Sequence, residues 1–182
     1  MIVVGRRGHG GVGNLLGSVS AGMVQHAHCP VAVIHDEDPL MPHPAQAPVL
    51  VGIDGSPVSE FATAIAFDEA SRRHVDLVAL HAWSDTRVSG YPGMEWSSLQ
   101  ASEDEVLAER LAGRQETHPD VKVHRHVVCD RPAHQLIEHS EAAQLVVVGS
   151  HGRGGFAGMV LGSVSSAVVQ SARMPVIVAR QP

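Results

Sequence analysis

The residues best suited to chemistry follow two predicted strands, where glycines and an acid occur together. Gly52, Asp54 and Gly55 mark the end of one strand, and the other is followed by three spaced glycines and a serine: Gly149, Gly152, Gly162 and Ser163. Glycine lets the main chain approach phosphate oxygens closely, so its amide groups can line an anion site. Gly162 and Ser163 also open a predicted helix, whose N-terminal amides carry partial positive charge. This run is therefore a candidate phosphate site, and the alternative interpretation of a glycine-rich loop is a simple turn.

The spacing of these glycines distinguishes the run from two common nucleotide-binding motifs. It has the form G-x2-G-x9-G-S, whereas a P-loop requires a lysine directly before its final Ser or Thr. The single lysine of the chain is Lys122, which is far from this run. A dinucleotide-binding fingerprint would follow the first strand of the module rather than the fourth. The run therefore matches neither a P-loop nor a dinucleotide-binding fingerprint.

Four residues near these turns have more than one interpretation from the sequence. Asp54 is a candidate ligand contact, but an Asx turn or a helix cap beside Gly55 also explains an Asp at this position. Ser163 suits either an N-cap or a phosphate contact, and the two roles are compatible. Arg153 is either a phosphate contact or a solvated loop charge, whereas His151 favours a structural or surface loop role.

The opening of the chain is a second, shorter copy of its end. Residues 1–34 match residues 145–179 at about half of the aligned positions, including Gly17-Ser-Val-Ser against Gly162-Ser-Val-Ser. Such similarity indicates duplication of one module. The first copy lacks the front of the module, for which a start inside a longer gene is one explanation. Its glycine loop encloses eight residues between Gly8 and Gly17 rather than nine, so we assign no phosphate binding to it.

We therefore divide the chain into three parts. Residues 1–35 form a strand-loop-helix-strand fragment of a first module, residues 36–46 form a proline-rich linker, and residues 47–182 form a complete module. A fragment of this kind exposes apolar faces when it is isolated. Another element must therefore cover these faces, and strand addition at a sheet edge would satisfy the open edges of both partners.

Strand and helix signals alternate through the complete module, which predicts an α/β fold with a parallel sheet. The first helix begins with Ser56 as its N-cap and Pro57 at the first helical position. The expected strands lie near residues 49–53, 76–82, 121–129, 145–149 and 176–179. The further helices are expected over residues 98–116, over residues 133–141 and after Gly162. We predict a doubly wound sheet of five parallel strands in the order 3-2-1-4-5, with ligands at the carboxyl ends of strands one and four.

Composition and cysteine use argue against several kinds of function. The net charge of −6 argues against a basic surface for the nucleic-acid backbone. Cys29 and Cys129 form no CxxC pair, which predicts neither a disulfide framework nor a thiolate zinc site and suits a reducing cytoplasm. His124 and His126 face one side of a strand but lack a third metal ligand. The sequence shows no apolar run long enough to span a membrane, no secretory signal and no nucleophilic triad.

These motifs resemble the ATP-binding type of the universal stress protein family, the UspA-like proteins. The glycine signature, the Gly52-x-Asp54-Gly-Ser turn, the Leu80-His81-Ala82 strand end and the Asp130-Arg-Pro132 turn all match. The resemblance covers residues 47–182, and the opening fragment is similar to the last third of a preceding module, as in tandem actinobacterial members. It implies an adenine nucleotide alpha hydrolase-like fold, which is Rossmann-like. It also implies that modules associate through their last strands, so we expect Val31–Ile34 to pair with Val176–Ala179, of the same chain or of a partner chain.

The resemblance also implies roles for particular residues. Asp54 would contact the adenine or its surroundings, and the Ala82 backbone would read the adenine edge. The ribose and phosphates would be held by the glycines and serine of the signature, with Val164 completing the wall: Gly149, Gly152, Gly162 and Ser163. Mg²⁺ or Mn²⁺ would accompany the ATP phosphates, since the sequence shows no dedicated metal cage.

We therefore expect a cytoplasmic ATP-binding protein that acts in the stress response or in energy-state regulation through nucleotide-dependent conformation or assembly. Two alternatives stay open. One is a slow ATPase or nucleotidyl-transfer enzyme, for which no base is evident. The other is a nucleotide-free interaction scaffold, against which the glycine signature counts. A homodimer through the last strand is favoured by the resemblance, partners among nucleic acids or membranes are not expected, and no catalytic or metal-binding residue is assigned.

Overall fold

The structure is a computed structural model that describes residues 1–6, 16–35, 41–83, 96–153 and 160–181. These residues contain seven strands: β1 (Ile2–Gly5), β2 (Val31–Ile34), β3 (Val49–Gly52), β4 (Leu77–Trp83), β5 (Val123–Cys129), β6 (Leu145–Gly149) and β7 (Val176–Ala179). The strands form one sheet in the order β1-β2-β7-β6-β3-β4-β5. Neighbouring strands are parallel except for β2 and β7, which are antiparallel.

The helices lie in the connections between these strands. In the described ranges they are α1 (Ser18–His26), α2 (Pro57–Arg73), α3 (Trp96–Thr117), α4 (Pro132–Ser140) and α5 (Ser163–Ser171), with a 3-10 turn at Pro44–Gln46. The predicted start of α2 is confirmed, because the Ser56 hydroxyl accepts a hydrogen bond from the Ser59 amide at 3.2 Å and Pro57 opens the helix. None of the described helices has an apolar stretch long enough to cross a membrane.

Helices cover both faces of the sheet, as expected for a doubly wound fold. On one face, the buried side chains of α2 and α3 pack over the centre of the sheet around Phe67 and Leu111. On the other face, α1, α4 and α5 contribute Val24, Leu136 and Val168 to a second core cluster. The central strands are therefore buried from both sides, which explains why β3 and β6 are nearly continuous apolar runs.

The prediction of a five-stranded, all-parallel sheet is wrong for the sheet as a whole. The strands β1 and β2 of the opening copy extend it to seven, and β2 adds an antiparallel pair. The five strands that the prediction covered stand as β5-β4-β3-β6-β7, so their neighbours are those of the order 3-2-1-4-5. The pairing of β2 with β7 covers an edge of β7 that would otherwise be open.

The pairing expected between the last strands of the two copies is confirmed within one chain. Val31 lies opposite Val178 and Val33 lies opposite Val176 in an antiparallel register. Since β7 also pairs with β6, both of its edges are occupied. A homodimer through the last strand would therefore require β2 to leave the sheet. The homodimer stays a prediction, and this arrangement does not favour that route to it.

Candidate functional site

The predicted site residues gather at the carboxyl ends of β3 and β6, two neighbouring parallel strands at the centre of the sheet. The chain leaves β3 into α2 on one face and leaves β6 towards α5 on the other, so the two connections diverge at this point. Such a divergence opens a crevice in doubly wound sheets. Here it forms a cavity of about 420 Å³, a size typical of small-molecule sites.

Asp54 joins the two turns that form the rim of this cavity. Its Oδ1 accepts a hydrogen bond from the Ser56 amide at 2.9 Å. Its Oδ2 accepts one from the Arg153 amide at 3.0 Å, across 99 residues of sequence. The Asx turn considered from the sequence is therefore present, and the same carboxylate also holds the loop after β6. Asp54 lies in the cavity wall as well, so a structural role and a ligand contact are compatible.

The environment of Asp54 favours its ionised form. Partial burial raises the pKa of the carboxyl group, but hydrogen bonds from Ser56, from Ser59 and from the Arg153 amide lower it more. The pKa of Asp54 therefore lies below the ordinary value of an aspartic acid. A negative charge is thus held at the rim of the cavity at neutral pH.

Gly152 is required at its position by the approach of Asp54. A Cβ atom built on Gly152 would lie 2.6 Å from Asp54 Oδ2, well inside van der Waals contact. A side chain here would push the carboxylate away from the Arg153 amide. This glycine of the signature therefore permits the two loops to meet.

The first turn of α5 forms the polar end of the cavity. Gly162 occupies the N-cap position, and Ser163, Val164 and Ser165 all line the cavity. The first hydrogen bond of the helix runs from the Ser166 amide to the Gly162 carbonyl at 2.9 Å. The three amides before it have no acceptor within the helix, and such amides at a helix N-terminus attract anions.

The interpretation of Ser163 as an N-cap is wrong, because Gly162 takes that position and no side-chain hydrogen bond caps the helix. Ser163 is instead the first residue of α5, with an exposed side chain on the cavity. Ser165 has the structural role in this turn, since its hydroxyl donates to the Gly149 carbonyl at the end of β6. The Ser163 hydroxyl is thus placed where a ligand can use it.

Other lining residues of the cavity are apolar. Leu80 and Val148 come from the sheet and Leu136 comes from α4, and all three are almost completely buried. Pro132 and Val164 complete this wall, and the end of β4 contributes Ala82. The cavity therefore combines apolar lining side chains with a helix N-terminus, which attracts anions.

Seven of the eight residues predicted for the site line this one cavity: Asp54, Ala82, Gly149, Gly152, Gly162, Ser163 and Val164. Arg153 does not line it. The Arg153 guanidinium group donates to the Asp54 carbonyl oxygen, and it approaches Arg110 beside Gly55 on the α3 side. Only the backbone of Arg153 takes part in the rim, so contact between its side chain and a phosphate stays a prediction.

Several lining residues were not predicted from the sequence as site residues. They are Gly52, Ile53, Ser59, Leu80, Leu136, Val148 and Ser165, together with Pro132 and His151. His151 was expected to be a structural or surface loop residue, yet it lies in the wall of the cavity. Of these residues, Ser165 is the one that the sequence could have indicated. It follows a strand that ends in Gly149, whose carbonyl can accept a hydrogen bond from a nearby hydroxyl.

The histidine pair considered for metal binding has other contacts. His124 Nε2 lies 2.6 Å from Asp76 Oδ2, and the ring of His126 packs against that of His139 at 5.3 Å between centroids. Among the described residues no three His, Cys, Asp or Glu side chains are grouped so that they could hold a metal ion.

Comparison with known proteins gives the family. The model of the Universal stress protein family matches residues 1–35 and 47–180. The chain belongs to the universal stress protein family. It is 65% identical over 182 residues to universal stress protein Rv2623 of Mycobacterium tuberculosis, and 63% identical over 182 residues to Rv2005c of the same organism. Both matches cover this whole chain, which spans 61% and 62% of those relatives.

Solved universal stress proteins share the fold. One from Archaeoglobus fulgidus DSM 4304 superposes with a TM-score of 0.66 at 25% identity, covering 99% of this chain and 60% of that one. Two others, each matching 74% of this chain and 98% of their own, were solved with nucleotides. A universal stress protein in complex with cAMP has a TM-score of 0.56 at 24% identity. An Archaeoglobus fulgidus protein in complex with dAMP has a TM-score of 0.54 at 20% identity.

Proposed function

We propose that this universal stress protein binds ATP in the cavity between Asp54 and the first turn of α5. The observation that supports the proposal is that one cavity is lined both by apolar side chains, among them Leu136, and by a helix N-terminus at Ser163. An adenine ring fits the first environment, and phosphates fit the second because helix amides and glycine backbone surround them.

The solved relatives bound to cAMP and dAMP support the adenine part of this proposal, since both ligands carry that base. The preference for ATP over a monophosphate is our own inference from the glycine signature. Mg²⁺ or Mn²⁺ would be bound chiefly by the phosphates, with water filling its remaining positions.

The proposed role of binding is regulatory. Asp54 joins the loop after β3 to the loop after β6, so a nucleotide seated between them would favour the arrangement in which both loops are closed. A protein whose conformation or assembly responds to ATP can report energy state in the cytoplasm during stress. We assign it no chemical step.

The experiment that tests this proposal compares two equivalent serines. Ser163 lines the cavity, whereas Ser18 is its counterpart in the opening copy and is likewise the first residue of a helix with an exposed side chain. Isothermal titration of ATP, AMP and GTP into the wild-type chain, with Mg²⁺ present, should give saturable ATP binding at one site per chain. Ser163→Ala should weaken ATP binding about 5- to 30-fold through loss of one hydrogen bond.

Ser18→Ala is the matched control and should bind ATP as the wild type does. Absence of ATP binding by the wild type would refute the proposal. If both substitutions weakened ATP binding equally, the binding site would lie outside this cavity.

A further inference from the structure

The backbone of the turn after β3 is contacted by side chains from three other segments of the chain. Three consecutive carbonyl oxygens of this turn each lie within hydrogen-bonding distance of one of them: Ile53 of His81 in β4, Asp54 of Arg153 after β6, and Gly55 of Arg110 in α3. These contacts act on the main chain that carries the Asp54 carboxylate. The position of that carboxylate therefore depends on side chains that do not line the cavity.

His81 is a buried link between this turn and α3. Its Nδ1 lies 2.7 Å from the Ile53 carbonyl oxygen, and Nδ1 is the donor because a carbonyl oxygen only accepts. Its Nε2 lies 3.3 Å from Glu103 Oε2 of α3. One imidazole ring therefore joins α3 to the backbone directly before Asp54.

Arg110 of α3 contacts the turn without an intermediate. Its Nη1 lies 3.5 Å from the Gly55 carbonyl oxygen and 2.7 Å from Glu60 Oε1 of α2. The guanidinium group also packs over Gly55, because a Cβ built there would lie 2.9 Å from Arg110 Cζ and from Arg153 Nη2. Gly55 has a φ of 78°, which favours glycine. The bend of the turn and the seat of Arg110 therefore depend on the same residue.

Helix α3 itself does not reach the cavity. It packs on the same face of the sheet as α2, through the buried side chains of Leu107 and Leu111. None of the described residues that line the cavity belongs to α3. The contacts of His81 and Arg110 are therefore a described route between a molecule in the cavity and this helix.

We propose that Arg110 is a positioning residue for nucleotide binding, and that α3 is the helix whose order reports whether the cavity is occupied. This inference rests on the proposed binding of ATP. A nucleotide that favours one arrangement of the Asp54 turn also favours the contacts of that turn with α3. Because such coupling is reciprocal, loss of the Arg110 contact weakens nucleotide binding.

The chain contains a matched ion pair that tests whether Arg110 acts only as a surface charge. Arg125 of β5 pairs with Asp104 of α3 at 3.1 Å and makes no described contact with the turn. The exposed fractions of the two side chains are 38% and 43% in this pair, and 36% and 42% in the pair of Arg110 with Glu60. Exposed ion pairs of this kind contribute little to stability. The two pairs should therefore differ in their effect on ATP binding and not in their effect on stability.

The first experiment measures ATP affinity by isothermal titration with Mg²⁺ present, for the full 182-residue chain and two variants. Arg110→Gln should weaken ATP binding at least about 5-fold. Arg125→Gln should bind ATP as the wild type does. The melting temperatures of the two variants without nucleotide should agree, which separates positioning of the turn from general stability.

The second experiment measures amide hydrogen exchange with and without saturating ATP. In the wild type, exchange should slow around Leu107–Leu111 of α3 more than in α1, because α1 registers only the general stabilisation by a bound ligand. This additional protection of α3 should be lost in Arg110→Gln saturated with ATP. It should be retained in Arg125→Gln.

The outcomes distinguish this inference from the proposed function. If the wild type does not bind ATP, the proposed function fails and this inference fails with it. If the wild type binds ATP but Arg110→Gln binds it equally well, or α3 gains no more protection than α1, only this inference is overturned. Equal weakening of ATP binding by both arginine substitutions would also overturn it, because the effect would then not depend on contact with the turn.

Discussion

The Asp54 carboxylate and the Arg153 amide are joined by a hydrogen bond of 3.0 Å that connects the turns after β3 and β6. These turns belong to connections that cover opposite faces of the sheet. One side chain therefore fixes the width of the crevice between them, and the remaining carboxylate oxygen is held by the Ser56 amide at 2.9 Å. The shape of the cavity and the ionisation of Asp54 are consequently linked.

Asp54→Asn should lower stability in a pH-dependent way. The pKa of Asp54 in the folded chain lies below the ordinary value of an aspartic acid, so its contribution is present above that value and is lost as pH falls through the folded pKa. We expect the free energy of unfolding at pH 7 to fall by about 1–2 kcal/mol. Urea denaturation of both proteins should show this gap closing below about pH 4, and a gap independent of pH would contradict the account.

Gly152→Ala should damage the site through the same contact. The new Cβ would lie 2.6 Å from Asp54 Oδ2, so the carboxylate must leave the Arg153 amide. We expect a loss of about 1–3 kcal/mol in stability and weaker ATP binding. Gly113→Ala is the control, because nothing lies within 4 Å of a Cβ there and the residue is in a helix. That change should raise stability by about 0.5–1 kcal/mol, as thermal denaturation would show.

Ser165→Ala and Ser20→Ala remove equivalent hydrogen bonds from the two copies. Each buried hydroxyl donates to the last carbonyl of the preceding strand, so each loss should cost about 1–2 kcal/mol. Only Ser165 lines the cavity. Chemical denaturation should therefore show similar losses for the two variants, while ATP titration should separate them. An equal effect of both on ATP affinity would contradict this division of roles.

Arg180 holds the opening copy against the complete module. Its guanidinium group donates to the Val24 carbonyl in α1 at 2.8 Å and to the Val160 carbonyl at 2.9 Å. His35 occupies the position in the opening copy that is equivalent to Arg180, and its Nε2 lies 3.0 Å from the Val169 carbonyl in α5. Arg180→Gln should destabilise the fold by about 1–3 kcal/mol and speed hydrogen exchange in α1.

The control for this prediction is Arg72→Gln, a largely exposed side chain paired with Glu69. It should change stability by less than about 0.5 kcal/mol. If the two substitutions had the same effect, the contacts of Arg180 would not hold the copies together.

Much of the site could be predicted from the sequence, because it depends on local chemistry and on the order of the strands. Glycines at 149, 152 and 162 and the acid at Asp54 follow strands whose apolar runs are unambiguous. The pairing of Val31–Ile34 with Val176–Ala179, in contrast, follows from the family resemblance rather than from the residues alone.

The remaining features depend on distances between segments far apart in sequence. The sheet has seven strands because the two copies share it. The strand pattern within one module does not indicate that a second copy joins the same sheet. Leu136 enters the cavity wall only because α4 crosses beneath β4 and β3. The direction of the Arg153 side chain is set by the Asp54 carbonyl, and Gly162 rather than Ser163 takes the cap position.

The most direct test of ATP binding in this cavity is an amide chemical-shift titration of the isotopically labelled chain with ATP and Mg²⁺. The account predicts saturable shifts at the amides of the two turns and of the first turn of α5, foremost those of Gly152, Ser163 and Val164. The equivalent amides of the opening copy, Ser18 and Val19, should move little. Shifts confined to other parts of the chain, or none at millimolar ATP, would contradict it.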